Sequence, residues 1–292
     1  MRFSYLFFLG ICGLFISAGV KLPKALRSEY QFIPSGLALL DNDTVSLQAY
    51  YMLNHEVTNG EYAAFLEYLK ENGTDQDLEA ARIRNENWNK ELKCVNTKYA
   101  ELYHTHPAYK DYPVVNVTHE GTQLYCIYAS KLVNELLAKT GMKVNVRLPH
   151  RAELIRAGAG DDLARPYSWG GQYLKNAQGS ALRNYVQIPE GALTRDENGK
   201  IITSKDYKHN FSATSTNADV VAPKHSYWPS PYGIYNLNGN VAEMTQEKHS
   251  AVGGSWRDLG WDVRLQSVKH YEEVSCTVGF RTVFSWVVSD EV

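Results

Sequence analysis

From Gln31 to Tyr51 short apolar runs are broken at Pro34-Ser35-Gly36 and at Asp41-Asn42-Asp43, a pattern that predicts strands of a small sheet joined by tight turns. The period then changes. Tyr62, Phe65, Leu66 and Leu69 fall three to four residues apart behind the capping residues Val57-Thr58-Asn59, and predict an amphipathic helix packed on that sheet. Residues 71–112 are polar and charged, and the pieces Glu79–Arg84 and Asn85–Lys93 read as helical and solvent-exposed. A second long helix is expected from Thr118 to about Lys139, with Leu124, Ile127, Tyr128, Lys131, Leu132, Leu136 and Leu137 at helical spacing and Thr140-Gly141 ending it. Val144-Asn145-Val146 then reads as a strand, and residues 189–219, with Arg195-Asp196-Glu197-Asn198-Gly199-Lys200, as a surface loop or hairpin. Two main helices with small sheets and many turns place the chain in the α+β class.

Composition narrows this further. The chain has 292 residues with 44% hydrophobic content, enough to bury a core, and 20 Tyr and 6 Trp, which suits aromatic packing between loops. Its net charge is −2 and its cations are scattered, which argues against nucleic acid as a partner. Met1-Arg2 followed by the apolar run Phe3–Ile16 and by Ser17-Ala18 reads as a secretory signal over residues 1–18, leaving a single domain over 19–292. Ile11 before Cys12 makes a poor lipoprotein cleavage site. The expected location is periplasmic, outer-membrane-associated or secreted. Of the remaining cysteines, Cys94, Cys126 and Cys276, an odd number, at least one is unpaired, and their spacing does not suggest zinc. His104 and His106, two apart on an extended segment, would point to opposite faces.

The candidate chemistry gathers in Pro231–Met244 and in Gly253-Gly254-Ser255-Trp256. The first stretch concentrates turn formers, amide oxygens and one carboxylate, which suits a loop wrapped on a cation or a pocket. Tyr232–Met244, together with Arg147–Leu154, Gly253–Trp256, Gly279-Phe280-Arg281 and Glu56–Phe65, resembles five ordered motifs of the formylglycine-generating enzyme (sulfatase-modifying factor) family. That resemblance spans about residues 30–285 and implies the family's fold, which is similar to the C-type lectin architecture. The string from His106 to Val115 also resembles the version of the domain found in Bacteroidota envelope proteins, including gliding-motility and type IX secretion lipoproteins.

Carried over residue by residue, the resemblance implies a structural Ca2+ held by the Asn236 side chain, the carbonyls of Asn238, Gly239 and Val241, and the Glu243 carboxylate. Asn184, in Leu182–Tyr185, matches the segment where the family holds another calcium. The two catalytic cysteines that hold copper in the family's enzymes would stand at Asp258 and Val263, and neither is a thiol. Two expectations follow. One is a non-catalytic binding or structural domain of the cell envelope, with a pocket of Ser255, Trp256, Trp261 and Arg264 that takes a protein, peptide or glycan ligand. The other is an oxygenase using iron or copper, in which Asp258, His270 and His249 form a two-histidine, one-carboxylate set. Arg147 and Glu153 are expected to pair as a structural salt bridge.

Overall fold

The computed structural model describes residues 22–88, 97–186, 190–199, 201–203 and 220–286. The expected signal run, Cys12, Cys94 and residues 204–219 lie outside the described residues. Among those described, no helix is long and apolar enough to cross a membrane.

After a short helix α1 (Lys24–Glu29) the expected strands appear as four: β1 (Tyr30–Ile33), β2 (Gly36–Leu40), β3 (Asp43–Leu47) and β4 (Tyr50–Leu53). Strands β2 and β3 form a hairpin whose turn residues Asp41 and Asn42 adopt φ of 49° and 74°, the left-handed pair that matches strand twist in a two-residue turn. Helix α2 (Asn59–Asn72) starts where expected. Thr58 accepts from the Glu61 N–H while the Glu61 carboxylate accepts from the Thr58 N–H, so two orphan donors of the first turn are satisfied. Tyr62, Phe65 and Leu69 form its buried stripe. Next come α3 (Asp75–Ala81), α4 (Thr97–Leu102), α5 (His119–Leu137), β5 (Val144–Arg147) and α6 (Arg151–Ala159).

The boundaries of α5 fit the sequence, yet the face it buries does not. Thr122, Tyr125, Cys126, Ala129, Val133 and Leu137 face the core, whereas Ile127, Leu132 and Leu136 are exposed. Leucine and isoleucine spacing alone selected a face rotated from the one that contacts the sheet, because the true stripe includes Thr, Cys and Ala, small enough to let the helix approach β5 closely. The segment taken as exposed also dips inward: Ala81 and Trp88 are fully buried, Trp88 against Tyr103 and near Val115 and Trp256.

Two four-stranded sheets organise the remainder. The first runs β1-β4-β12-β5, all antiparallel, with β12 at Val283–Trp286. The second runs β10-β9-β8-β11, formed by β8 (Ala242–Met244), β9 (Ser250–Val252), β10 (Val268–His270) and β11 (Val278–Gly279), with β8 and β11 parallel. A separate hairpin, β6 (Leu193–Arg195) with β7 (Ile201–Thr203), answers the turn expected around Asn198-Gly199. Phe280-Arg281-Thr282 is the short link from the second sheet to the first, and so brings the end of the chain against β8 and β4. The largest core cluster packs α2 and α5 on the first sheet through Phe65, Tyr125, Leu137, Val146 and Phe284.

Candidate functional site

The Asn236–Glu243 loop turns sharply because Asn236, Gly239 and Asn240 all take left-handed backbone conformations, with φ of 57°, 71° and 63°. Glycine at 239 is required twice over. Its φ disfavours a side chain, and a Cβ there would stand 2.2 Å from the Asn184 carbonyl oxygen. The loop is clamped on both sides: the Asn240 N–H donates to Asn184 O at 2.8 Å, the Gly239 N–H to Gly253 O at 2.8 Å, and the Trp256 N–H to Asn240 O at 2.8 Å. The Asn184 side chain donates to Val220 O at 2.6 Å and to Asn240 Oδ1 at 3.3 Å, which joins it to this same loop.

Five buried side chains meet inside the loop. Glu243 accepts from Arg281 through both oxygens at 2.5 Å, and Arg281 also donates to Leu53 O at 3.2 Å and Tyr235 O at 2.8 Å. Glu56 accepts from Asn236 Nδ2 at 3.0 Å and Asn240 Nδ2 at 2.9 Å. Glu56, Glu243 and Arg281 are at most 1% exposed, so two carboxylates share one guanidinium out of water. Burial therefore pushes the Glu56 carboxyl up to about 7, opposed by the charge of Arg281 and helped by that of Glu243. Glu243 is also raised by burial, with Arg281 pulling the other way.

This chemistry can be tested against the expected calcium ligands. Asn236 Oδ1 is buried and has no hydrogen-bond partner, which is what a waiting oxygen ligand looks like. The second carboxylate, Glu56, brings a negative charge that Arg281 cannot fully offset. Glu243 spends one lone pair of each oxygen on Arg281 and retains others. Asn238 takes part in the loop through its side chain, accepting from Ser168 N at 2.8 Å and donating to Val263 O at 2.7 Å. The donor set fits a hard divalent cation. Glu56, Arg281 and Asn240 were missed as partners of this loop, although the first two sit inside the quoted motifs Glu56–Phe65 and Gly279-Phe280-Arg281.

The 253–270 stretch departs from expectation. Asp258 Oδ2 accepts from Ser255 N at 2.8 Å and Ser255 Oγ at 2.5 Å, and Lys269 Nζ approaches the same carboxylate at 2.9 and 3.2 Å. Lys269 and His270 are successive residues of β10, so their side chains leave opposite faces of the strand, and Asp258 faces Lys269. His249 is exposed and its Nδ1 pairs with Tyr271 O at 3.0 Å. Asp258, His249 and His270 are not among the described residues whose ligand atoms come together. The four expected pocket residues divide between the core and the surface. Ser255 and Trp256 are buried, with Trp256 Nε1 donating to Cys276 O at 3.3 Å, while Trp261 is exposed and carries the Arg264 guanidinium 3.2 Å from its ring centre. Val263 is buried beside Tyr167, Ala181 and Tyr185.

The other titratable groups serve structure. Among the described residues, Glu29, His55 and Glu61 approach metal-ligand spacing, but the carboxylates stand at opposite ring nitrogens, 3.7 Å from Nδ1 and 3.2 Å from Nε2. That arrangement is a relay holding the α2 cap. His104 is pulled down to about 3 by burial between Asn59 and Trp88, while His106 caps Ala108. Cys126 and Cys276 are buried, and burial pushes Cys126 up to about 12. Arg147 and Glu153 form the expected pair, bidentate at 2.7 Å, with Glu153 also capping the His150 N–H.

With this geometry in hand, the comparisons with known proteins are specific. The family described as "Sulfatase-modifying factor enzyme 1-like domain" matches residues 24–285. The formylglycine-generating enzyme of Bos taurus is 24% identical over 225 residues, covering 70% of this chain and 50% of that protein, so the chain spans about half the length of this relative. Two solved structures share the fold. PvdO from Pseudomonas aeruginosa has a TM-score of 0.51 at 16% identity, covering 88% of this chain and 94% of that one. CarF has a TM-score of 0.50 at 16% identity, covering 87% and 97%.

Proposed function

Because the chain belongs to the sulfatase-modifying factor enzyme 1-like domain family, we propose that it uses that scaffold as an exported, non-catalytic binding or structural domain of the cell envelope, stabilised by calcium at the 236–243 loop. The observation that carries this reading is Asp258. By resemblance, copper-dependent oxygen chemistry in this family would rest on a pair of thiolates, and counting from Gly253 their places would fall on Asp258 and Val263. The Asp258 carboxylate is neutralised by Lys269 and bonded by Ser255, and the Val263 side chain is part of the apolar core. A carboxylate is a hard ligand, and with no thiolate beside it the site is a poor one for a soft metal. The unpartnered Asn236 Oδ1 and the excess buried negative charge of Glu56 and Glu243 support the calcium part of the reading. When bound, the ion would be held by Asn236, by the carbonyls of Asn238, Gly239 and Val241, and by Glu243, and it would supply charge neutralisation rather than catalysis.

Elemental mass spectrometry of the chain purified without added metal tests it. The expected result is calcium near one per chain, negligible copper and iron, and no oxygen consumption with a cysteine-containing peptide. Stoichiometric copper or iron that disappears in Asp258→Ala would overturn the non-catalytic reading. A melting temperature unchanged by chelator would overturn the calcium part.

A further inference from the structure

The face that carries Trp169, Tyr173 and Trp228 has a chemistry the calcium loop does not use. Two open hollows of about 710 and 730 Å³ adjoin along a groove, with Trp228 and Asn176 lining both. Tyr173 is 81% exposed and Trp228 58% exposed, two large rings left in water within one concavity. Trp169 is half-buried in the lining of the first hollow. Tyr167 stacks on it at 4.5 Å with planes 8° apart, and its indole N–H donates to Tyr173 O at 2.9 Å.

Beneath the groove lies Arg183, 1% exposed. Its guanidinium donates to Leu182 O at 2.8 Å, to Ser168 Oγ at 3.0 Å and to the Trp228 carbonyl, and it sits 5.0 Å from the Trp169 ring centre. Every one of these partners is neutral, Nε has no hydrogen-bond partner, and among the described residues no carboxylate pairs with it. A buried cation held only by neutral hydrogen-bond partners is costly. Burial pulls its guanidinium down to about 10, opposed in part by the charges of Tyr227 and Glu56. Arg165, whose Nε is also unpartnered and lies 3.7 Å from Asp162, and Lys175 line the groove itself. Among the described residues lining the two hollows there is no Asp or Glu, although the chain as a whole carries net charge −2. Gln178, Ser180, Ser226 and Ser230 supply amide and hydroxyl groups along the walls.

Exposed ring faces, neutral hydrogen-bonding side chains and two lining cations, of which Lys175 has no ion pair among the described residues and Arg165 has Asp162 at 3.7 Å, together describe a sugar site. Pyranose C–H faces pack on the negative face of aromatic rings, hydroxyl groups pair with amides and serines, and an acidic substituent answers the unspent positive charge. We propose that this groove binds an acidic oligosaccharide, one bearing carboxylate or sulfate groups, with Tyr173 and Trp228 as stacking platforms and Lys175 and Arg165 facing the anionic substituent. The proposal rests on the binding-domain reading above and names the ligand class. Two lining cations are too few to track a nucleic-acid backbone, and the scarcity of aliphatic side chains disfavours an apolar peptide.

The test is calorimetric titration of the full chain with four probes: an oligouronate hexasaccharide, a sulfated heparin hexasaccharide, a neutral chitohexaose and an oligothymidylate. The expected result is saturable binding of the uronate or the sulfated probe, with the preference between them identifying the acidic group. Trp228→Ala and Tyr173→Ala should each weaken that binding at least tenfold, and Lys175→Ala about threefold, with the unfolding midpoint unchanged. Binding should weaken as salt rises. The proposal is overturned if neither acidic sugar saturates at millimolar concentration, if chitohexaose binds equally, if oligothymidylate binds more tightly, or if the two aromatic substitutions leave affinity unchanged. Such a failure leaves the metal and oxygen measurements standing, so the two readings fall separately.

Discussion

Replacing Glu56 by Gln should change how stability depends on pH, and the structure sets both sign and size. Glu56 is fully buried, accepts from two asparagine amides and shares Arg281 with Glu243. Its carboxyl lies near 7 in the folded protein against 4.5 ordinarily. Below about pH 4.5 both folded and unfolded chains hold the proton, and Glu56 costs nothing. As pH rises from there the unfolded chain releases the proton first, so the folded state binds more protons and unfolding free energy falls until the folded group ionises near 7. At about 1.4 kcal/mol per pH unit the full loss amounts to about 3 kcal/mol. Glu56→Gln keeps one acceptor and the side-chain volume but cannot ionise.

Urea unfolding of both proteins in chelator, at intervals between about pH 5 and about pH 8, measures this directly. The variant should lack the decline, and the difference between the two curves should grow by about 3 kcal/mol across that range, because other titrating groups cancel in the subtraction. Saturating calcium should shrink the difference, since a cation bound beside Glu56 favours its ionised form. Parallel curves, differing by a constant within about 0.5 kcal/mol, would refute the argument that Glu56 is the excess acid of the buried cluster.

Gly239→Ala should lower stability by more than about 2 kcal/mol, because the new methyl must displace the Asn184 carbonyl at a left-handed position, and thermal melting reads it out. Thr58→Ala should cost about 1 kcal/mol by removing the cap of α2, seen as a lowered urea midpoint with an unchanged slope. On α5, Ile127→Ser should stay within about 0.5 kcal/mol of the parent while Val133→Ala costs about 1–3 kcal/mol; the reverse order would restore the helix face expected from the leucines.

Much of the architecture could be read from local pattern. Turn residues at Pro34-Ser35-Gly36 and Asp41-Asn42, the cap at Thr58 and the stop at Gly141 are short-range signals, because each depends on backbone conformations and hydrogen bonds made within a few residues. The ordered motifs likewise fixed the family, and the pairing of Arg147 with Glu153 lies within one turn of sequence. Packing decided the rest. Which face of α5 is buried depends on how closely its small residues approach the sheet, which leucine spacing cannot report. That Asp258 faces Lys269 rather than a histidine follows from the strand parity of β10, and that Ser255 and Trp256 lie in the core while Trp261 lies outside follows from the turn between them. Glu56, Asn236, Glu243 and Arg281 come from three distant segments, and their shared burial, which makes one carboxylate surplus, exists only once two sheets have closed over them. Local sequence names the groups, while the distances and the loss of water that set their charge belong to the tertiary structure.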